Sequence, residues 1–220
     1  MQSARRFLML AMLPALLATS INAAAQLVPG RDYQLIDPPQ PADSGKRVEV
    51  IEFFWYGCPH CNNLQPPLKA WLKRKPADVA FRSVPAVFDE SWIPLTKAFY
   101  ALDALGLTEK LHSDVFAAIH EHKIRLQDPK ALFDWVARNG VERQKFIDTY
   151  NSFGVTSRTQ RSIDMTRNYD IPGTPALTVD GRYLTAPSMT LKPDKSIDYE
   201  RYFQVLDQLI ALARKARAGK

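Results

Sequence analysis

Cys58 and Cys61, in the run Cys58-Pro59-His60-Cys61, are the only two cysteines in 220 residues. Thiols three positions apart suit dithiol–disulfide exchange, in which one thiol ionises easily and the other resolves the mixed disulfide. Cys58 fits the first role. Gly57 breaks the preceding segment and Pro59 favours the first position of a helix, so Cys58 lands at a helix N-terminus. Unpaired backbone N–H groups and the helix dipole stabilise a thiolate there. Pro59 fixes the turn, and His60 can offer a hydrogen bond or a positive charge to the sulfur. Cys61, one helical turn on, is expected to be more buried and to act as the resolving thiol. Stabilising the thiolate stabilises the reduced form, which makes the disulfide the stronger oxidant. A disulfide closing so short a loop removes little entropy from the unfolded chain, so a structural staple is a weak explanation.

A zinc half-site is the competing reading of the pair, and it needs two more ligands. The remaining histidines are His112, His120 and His122, and the last two stand two apart on a predicted helix, facing different ways. No second CxxC exists. Haem attachment would place a His after Cys61, where Asn62 stands. No metal or cofactor is expected.

Two further places bear on thiol chemistry. Glu52 interrupts an apolar strand six residues before Cys58. Buried behind the thiols, its carboxyl would hold its proton more tightly and could relay protons to Cys61. The alternative is an ion pair with a surface Lys or Arg. Thr174-Pro175 opens another strand. A proline there is often cis and removes an N–H, leaving the Thr174 backbone free to pair with an extended peptide. Trp55 and Tyr56 are expected to line the same substrate groove.

The elements that must hold these residues follow from pattern. Val48–Trp55 reads as a mostly buried strand, Asp32–Ile36 as a short one, and Val79–Val84 as another. Cys61–Lys75 reads as a helix with Leu64, Leu68, Trp71 and Leu72 on one face, bent at Pro66-Pro67. Helices are predicted over Pro94–Leu105, Glu109–His122, Pro129–Arg138, Glu142–Phe153 and Thr156–Tyr169, with starts at Thr108 and Asp128 and stops at Gly106, Asn139-Gly140 and Gly154. Asp180-Gly181 between Ala176–Val179 and Arg182–Thr185 signals a hairpin. Asp198–Ala216 is an amphipathic helix. The predicted architecture is α/β, with residues 26–89 and 156–220 forming one unit and residues 90–155 an inserted all-helical subdomain.

The N-terminus reads as an export signal. Arg5 and Arg6 precede the apolar run Phe7–Ala18, and Ala23-Ala24-Ala25 offers small residues for cleavage after Ala25. The run is shorter than the roughly 20 residues of a membrane span; an uncleaved anchor is the alternative. Removal of both arginines takes the formal charge from +6 to +4. The basic residues are scattered, without the stripe that nucleic acid requires. Export to an oxidising compartment allows the thiols to persist as a disulfide.

CPHC after a VIEFF strand, the acidic residue six before it, the X-Pro strand start far downstream and the helical insertion together resemble the DsbA family. The resemblance spans essentially the whole mature chain. It implies a thioredoxin fold with an inserted helical subdomain and a periplasmic thiol:disulfide oxidoreductase. It also implies that Cys58 is the substrate-linked cysteine, Cys61 the resolving one, His60 an electrostatic stabiliser and Pro175 the facing cis-proline. Partners would be reduced secreted chains and a quinone-linked DsbB-like membrane oxidase, and nothing demands more than a monomer. Family members often carry Val before the cis-proline, where this chain has Thr174. A lysine that accompanies the buried glutamate in some members has Arg82 and Ser83 near its place. The other readings are an isomerase or reductant of the same fold, and a peptide-binding holdase without redox turnover. Nothing before the first strands reads as the dimerisation domain that such isomerases add.

Overall fold

A computed structural model describes residues 26–219. The proposed export signal and its cleavage after Ala25 lie outside the described residues.

The fold is built on β2 (Val48–Phe54), which follows the short β1 (Gln34–Leu35). All seven residues of β2 are buried, and five of them are apolar. Each such side chain stabilises by roughly 1.5–3 kcal/mol, which lets the strand also carry Glu49 and Glu52. β2 runs parallel to β3 (Val79–Pro85) and antiparallel to β4 (Ala176–Val179). β5 (Tyr183–Thr185) extends the sheet to β1, giving the order β1-β5-β4-β2-β3. Alternation along β2 sends Val48 and Val50 into one core and Ile51 and Phe53 into another. The first core is closed by α1 (Pro59–Arg74) and, at the end of the chain, α7 (Tyr199–Ala218). The mixed sheet with these helices is the predicted α/β thioredoxin fold with its helical insertion.

Between β3 and β4 run α2 (Ile93–Ala104), α3 (Thr108–His120), α4 (Pro129–Arg138), α5 (Arg143–Tyr150) and α6 (Phe153–Asn168). Their core includes Leu95, Leu102, Leu111, Val115, Leu132 and Phe146, and it also takes in Phe54, Tyr56, Cys58 and Cys61. The insertion is therefore packed directly on the cysteine turn.

Two helix boundaries differ from expectation. Gly154 does not end α5. That helix stops at Tyr150, and Ser152 caps α6 by accepting from the Val155 N–H at 3.2 Å, leaving Gly154 in the first turn. A first-turn glycine is tolerated where the cap fixes the chain. Thr108 does not cap α3 either; Leu107 holds that position without a side-chain bond. Asp128 caps α4 as predicted. α1 continues through Pro66 and Pro67, pinned by Leu64, Leu68 and Trp71. At the hairpin, Asp180 and Gly181 both have positive φ, 56° and 62°, the pattern of a type I′ turn. A Cβ on Gly181 would lie 2.0 Å from the Gln40 carbonyl oxygen.

Candidate functional site: a thiol pair at a helix start

The chain leaves β2 at Phe54 and turns through Trp55, Tyr56 and Gly57 into α1, with the Cys58 N–H donating to the Trp55 carbonyl at 3.0 Å. Cys58 is the N-cap of α1 and Pro59 its first residue, as the local sequence predicts. Gly57 has the Trp55 ring where a Cβ would sit, 2.4 Å away at the nearest atom.

The two sulfurs, both free, occupy opposite environments. Cys58 is 8% exposed and its thiol is lowered to about 5. The leading cause is a hydrogen bond from the Cys61 side chain; the Thr174 side chain and the backbone N–H groups of Cys61 and His60 add to it against the opposing effect of burial. The helix N-terminus thus supplies donors to the charged form. Cys61 is fully buried, and that burial, followed by its hydrogen bond to Cys58 and then the charge on that sulfur, pushes its thiol far up. In its protonated form Cys58 Sγ donates to the Thr174 carbonyl at 3.3 Å. The Thr174–Pro175 bond is cis, and the contact with Cys58 Sγ sets this loop against the cysteine turn.

His60 is exposed, and its backbone N–H is what reaches the sulfur; among the described residues its ring makes no hydrogen bond. Glu52 is fully buried on the α1 face of β2. Ser83 Oγ donates to its Oε2 at 2.8 Å, and Gln65 Nε2 lies 3.3 Å from its Oε1 and 3.4 Å from the Cys61 carbonyl. Burial outweighs these donors and raises the carboxyl to about 7. Among the described residues the alternative of an ion pair is not realised. Arg82 turns to Glu49, 2.9 Å away, on the opposite face. An open groove between α1, β3, α3 and α6 reaches Glu52, Gln65 and Ser83.

The two aromatic residues separate. Trp55 is half-buried and stacks on Trp92 with centroids 4.0 Å apart, beside exposed Phe88. Tyr56 cannot line a groove, because its side chain is only 1% exposed and lies among Phe54, Phe99 and Phe116. Its hydroxyl bonds His112 Nδ1 at 2.8 Å, and its carbonyl lies 2.8 Å from His120 Nε2. Sequence reasoning weighed these histidines only as metal ligands and missed Gln65, although Gln65 follows Cys61 by one helical turn on the same face.

Residues 93–194 match the family model described as DSBA-like thioredoxin domain. The thiol:disulfide interchange protein DsbA of Burkholderia cepacia is 42% identical over 178 residues, covering 79% of this chain and 84% of that protein. The protein of the same name from Bordetella parapertussis is 41% identical over 202 residues, 91% of this chain and 94% of that one. Among solved structures, Pseudomonas aeruginosa DsbA superposes with a TM-score of 0.78 at 32% identity, covering 87% of this chain and 96% of that chain. The oxidoreductase DsbA of Xylella fastidiosa gives 0.77 at 33% identity, with 86% and 98% covered.

Proposed function

We propose that this chain, which belongs to the DsbA family of thiol:disulfide oxidoreductases, donates a Cys58–Cys61 disulfide to reduced proteins newly exported to the periplasm. The observation that carries the reading is the contrast between two sulfurs one helical turn apart. Cys58 is set up to leave as a thiolate, lowered to about 5, while burial keeps Cys61 a thiol.

A substrate thiolate attacks Cys58 Sγ. The new S–S bond forms as the Cys58–Cys61 bond breaks, and the electron pair leaves on Cys61, which takes up a proton. Glu52, which keeps its proton up to about pH 7 and is linked to the Cys61 backbone through Gln65, is the donor we assign. A second substrate thiolate then attacks the substrate's own sulfur in the mixed disulfide, and Cys58 departs as a stabilised thiolate. The substrate loses two electrons and the protein gains them. Thr174 and Pro175, with Trp55, form the side that meets the peptide, and a quinone-linked DsbB-like membrane protein restores the disulfide. In this reading residues 1–25 are the leader removed after Ala25, residues 90–155 form the inserted unit, and the protein acts as a monomer.

Equilibration with glutathione tests the direction. The expected midpoint lies well on the oxidising side of the glutathione couple. A midpoint as reducing as thioredoxin's, about −270 mV, would overturn donation in favour of reduction.

A further inference from the structure

We infer that His120, together with His112, positions the redox turn: α3 grips Tyr56 by backbone and side chain and so fixes the Cys58 sulfur relative to the amides of His60 and Cys61. The turn's other restraints include the Cys58 N–H bond to the Trp55 carbonyl and the stacking of Trp55 on Trp92. Trp55, Tyr56 and Gly57 lie beyond the last ladder residue of β2, and α1 begins only at Pro59. Of these three, Tyr56 alone is buried. Its carbonyl, in a turn where no strand or helix partner exists, accepts from His120 Nε2 at 2.8 Å. Its hydroxyl meets His112 Nδ1 at the same distance, eight residues earlier on α3. Phe54, Phe99 and Phe116 surround the ring, so it has no slack in which to swing. Phe116 also stacks on His120, which holds that imidazole in line with the carbonyl.

The consequence concerns chemistry as well as stability. Apart from the Thr174 side chain, the donors that favour the Cys58 thiolate are the Cys61 thiol and backbone groups, which depend on the path of the turn. Hydrogen bonds weaken steeply when distance or angle slips, so loosening Tyr56 weakens them without touching either sulfur. His112 and His120 touch no reacting atom; they act through Tyr56.

The inference rests on Cys58 being the exchanging sulfur, and Cys58→Ser run in parallel checks that separately: it must abolish the low-pH thiolate absorbance of the native protein. His120→Ala removes the donor, His120→Gln keeps an N–H of comparable reach, and Tyr56→Phe removes only the hydroxyl contact with His112. Thiolate absorbance against pH and the equilibrium constant with glutathione are measured for each. His120→Ala should raise the Cys58 thiol pKa and make the pair less oxidising by about 3- to 10-fold, the size of one hydrogen bond. Tyr56→Phe should move both readouts in the same direction, and His120→Gln should remain within about twofold of the native protein. Should His120→Ala and Tyr56→Phe lose stability while both readouts stay native, α3 merely supports the fold and the inference is overturned. If His120→Ala does not fold, Tyr56→Phe decides: a shift supports the inference and a native titration overturns it.

Discussion

Replacing Glu52 by Gln tests the buried carboxyl through stability, before any exchange is measured. Glu52 holds its proton up to about pH 7 against an ordinary 4.5, because burial penalises the charge more than Ser83 and Gln65 favour it. An acid with a raised folded pKa binds more protons folded than unfolded between the two values, so stability falls as pH rises through that window. The gap between 4.5 and about 7, at about 1.4 kcal/mol for each pH unit, amounts to roughly 3 kcal/mol. The penalty is complete above about pH 7 and gone below about pH 4.5. Glutamine keeps the shape and can still bond Ser83 and Gln65, so Glu52→Gln removes the penalty without opening a cavity. Urea unfolding of both proteins, kept reduced with a phosphine, should show the variant ahead by under about 1 kcal/mol at pH 5 and by about 3 kcal/mol at pH 8. With an ordinary urea slope that moves the midpoint by about 1 M. A gap that does not widen with pH would mean that the carboxylate is already satisfied when charged, and Glu52 would lose its place as a proton store.

The thiol pair makes its own prediction. Cys58 lowered from 9.0 to about 5 gives the reduced fold stability that is fully present above about pH 9 and is lost as pH falls through 5. The reduced form should therefore gain on the oxidised form between those limits, and urea midpoints that stay parallel would refute the low thiol pKa. His112 works in the other direction from Glu52. Burial lowers it from 6.5 to about 4, so roughly 3 kcal/mol of stability disappears as pH falls across that range. His112→Gln should flatten this acid limb, and an unchanged limb would show that the ring is already solvated. Gly181→Ala forces a side chain into a left-handed position against the Gln40 carbonyl and should cost at least about 2 kcal/mol in urea unfolding; a loss below about 0.5 kcal/mol would refute the close approach.

The placement of Cys58 was legible because it is decided within three residues: a glycine that breaks the strand, a cysteine and a proline that starts a helix. The Asp180-Gly181 hairpin is equally local. Gly154 misled because glycine near a helix can mark an end or sit harmlessly in a first turn, and the cap from Ser152 settled which. Tyr56 misled for a different reason. Strand alternation stops at Phe54, so nothing nearby says which way the next side chain points. Its partners lie on α3, 56 and 64 residues later, and only packing of the insertion brings them to the turn.

Glu52 shows most clearly what spacing alone leaves open. Arg82 and Ser83 stand side by side on the strand paired with β2, and the two would give opposite chemistry. An arginine within reach would hold the carboxylate charged and low, useless as a proton donor at neutral pH. A serine donates one hydrogen bond and leaves burial in control. The choice is made by the register of β2 on β3, which sets Glu52 opposite Ser83 and Ile51 opposite Arg82. Side chains alternate with period two, so a slip of one residue would turn Arg82 onto the α1 face. What prevents the slip is apolar: Val79 and Phe81 pack toward α1, while Val84 faces α6 with Ile51 and Phe53. The protonation of the buried carboxyl is therefore governed by the hydrophobic pattern of its neighbouring strand, which holds Arg82 on the far side of the sheet.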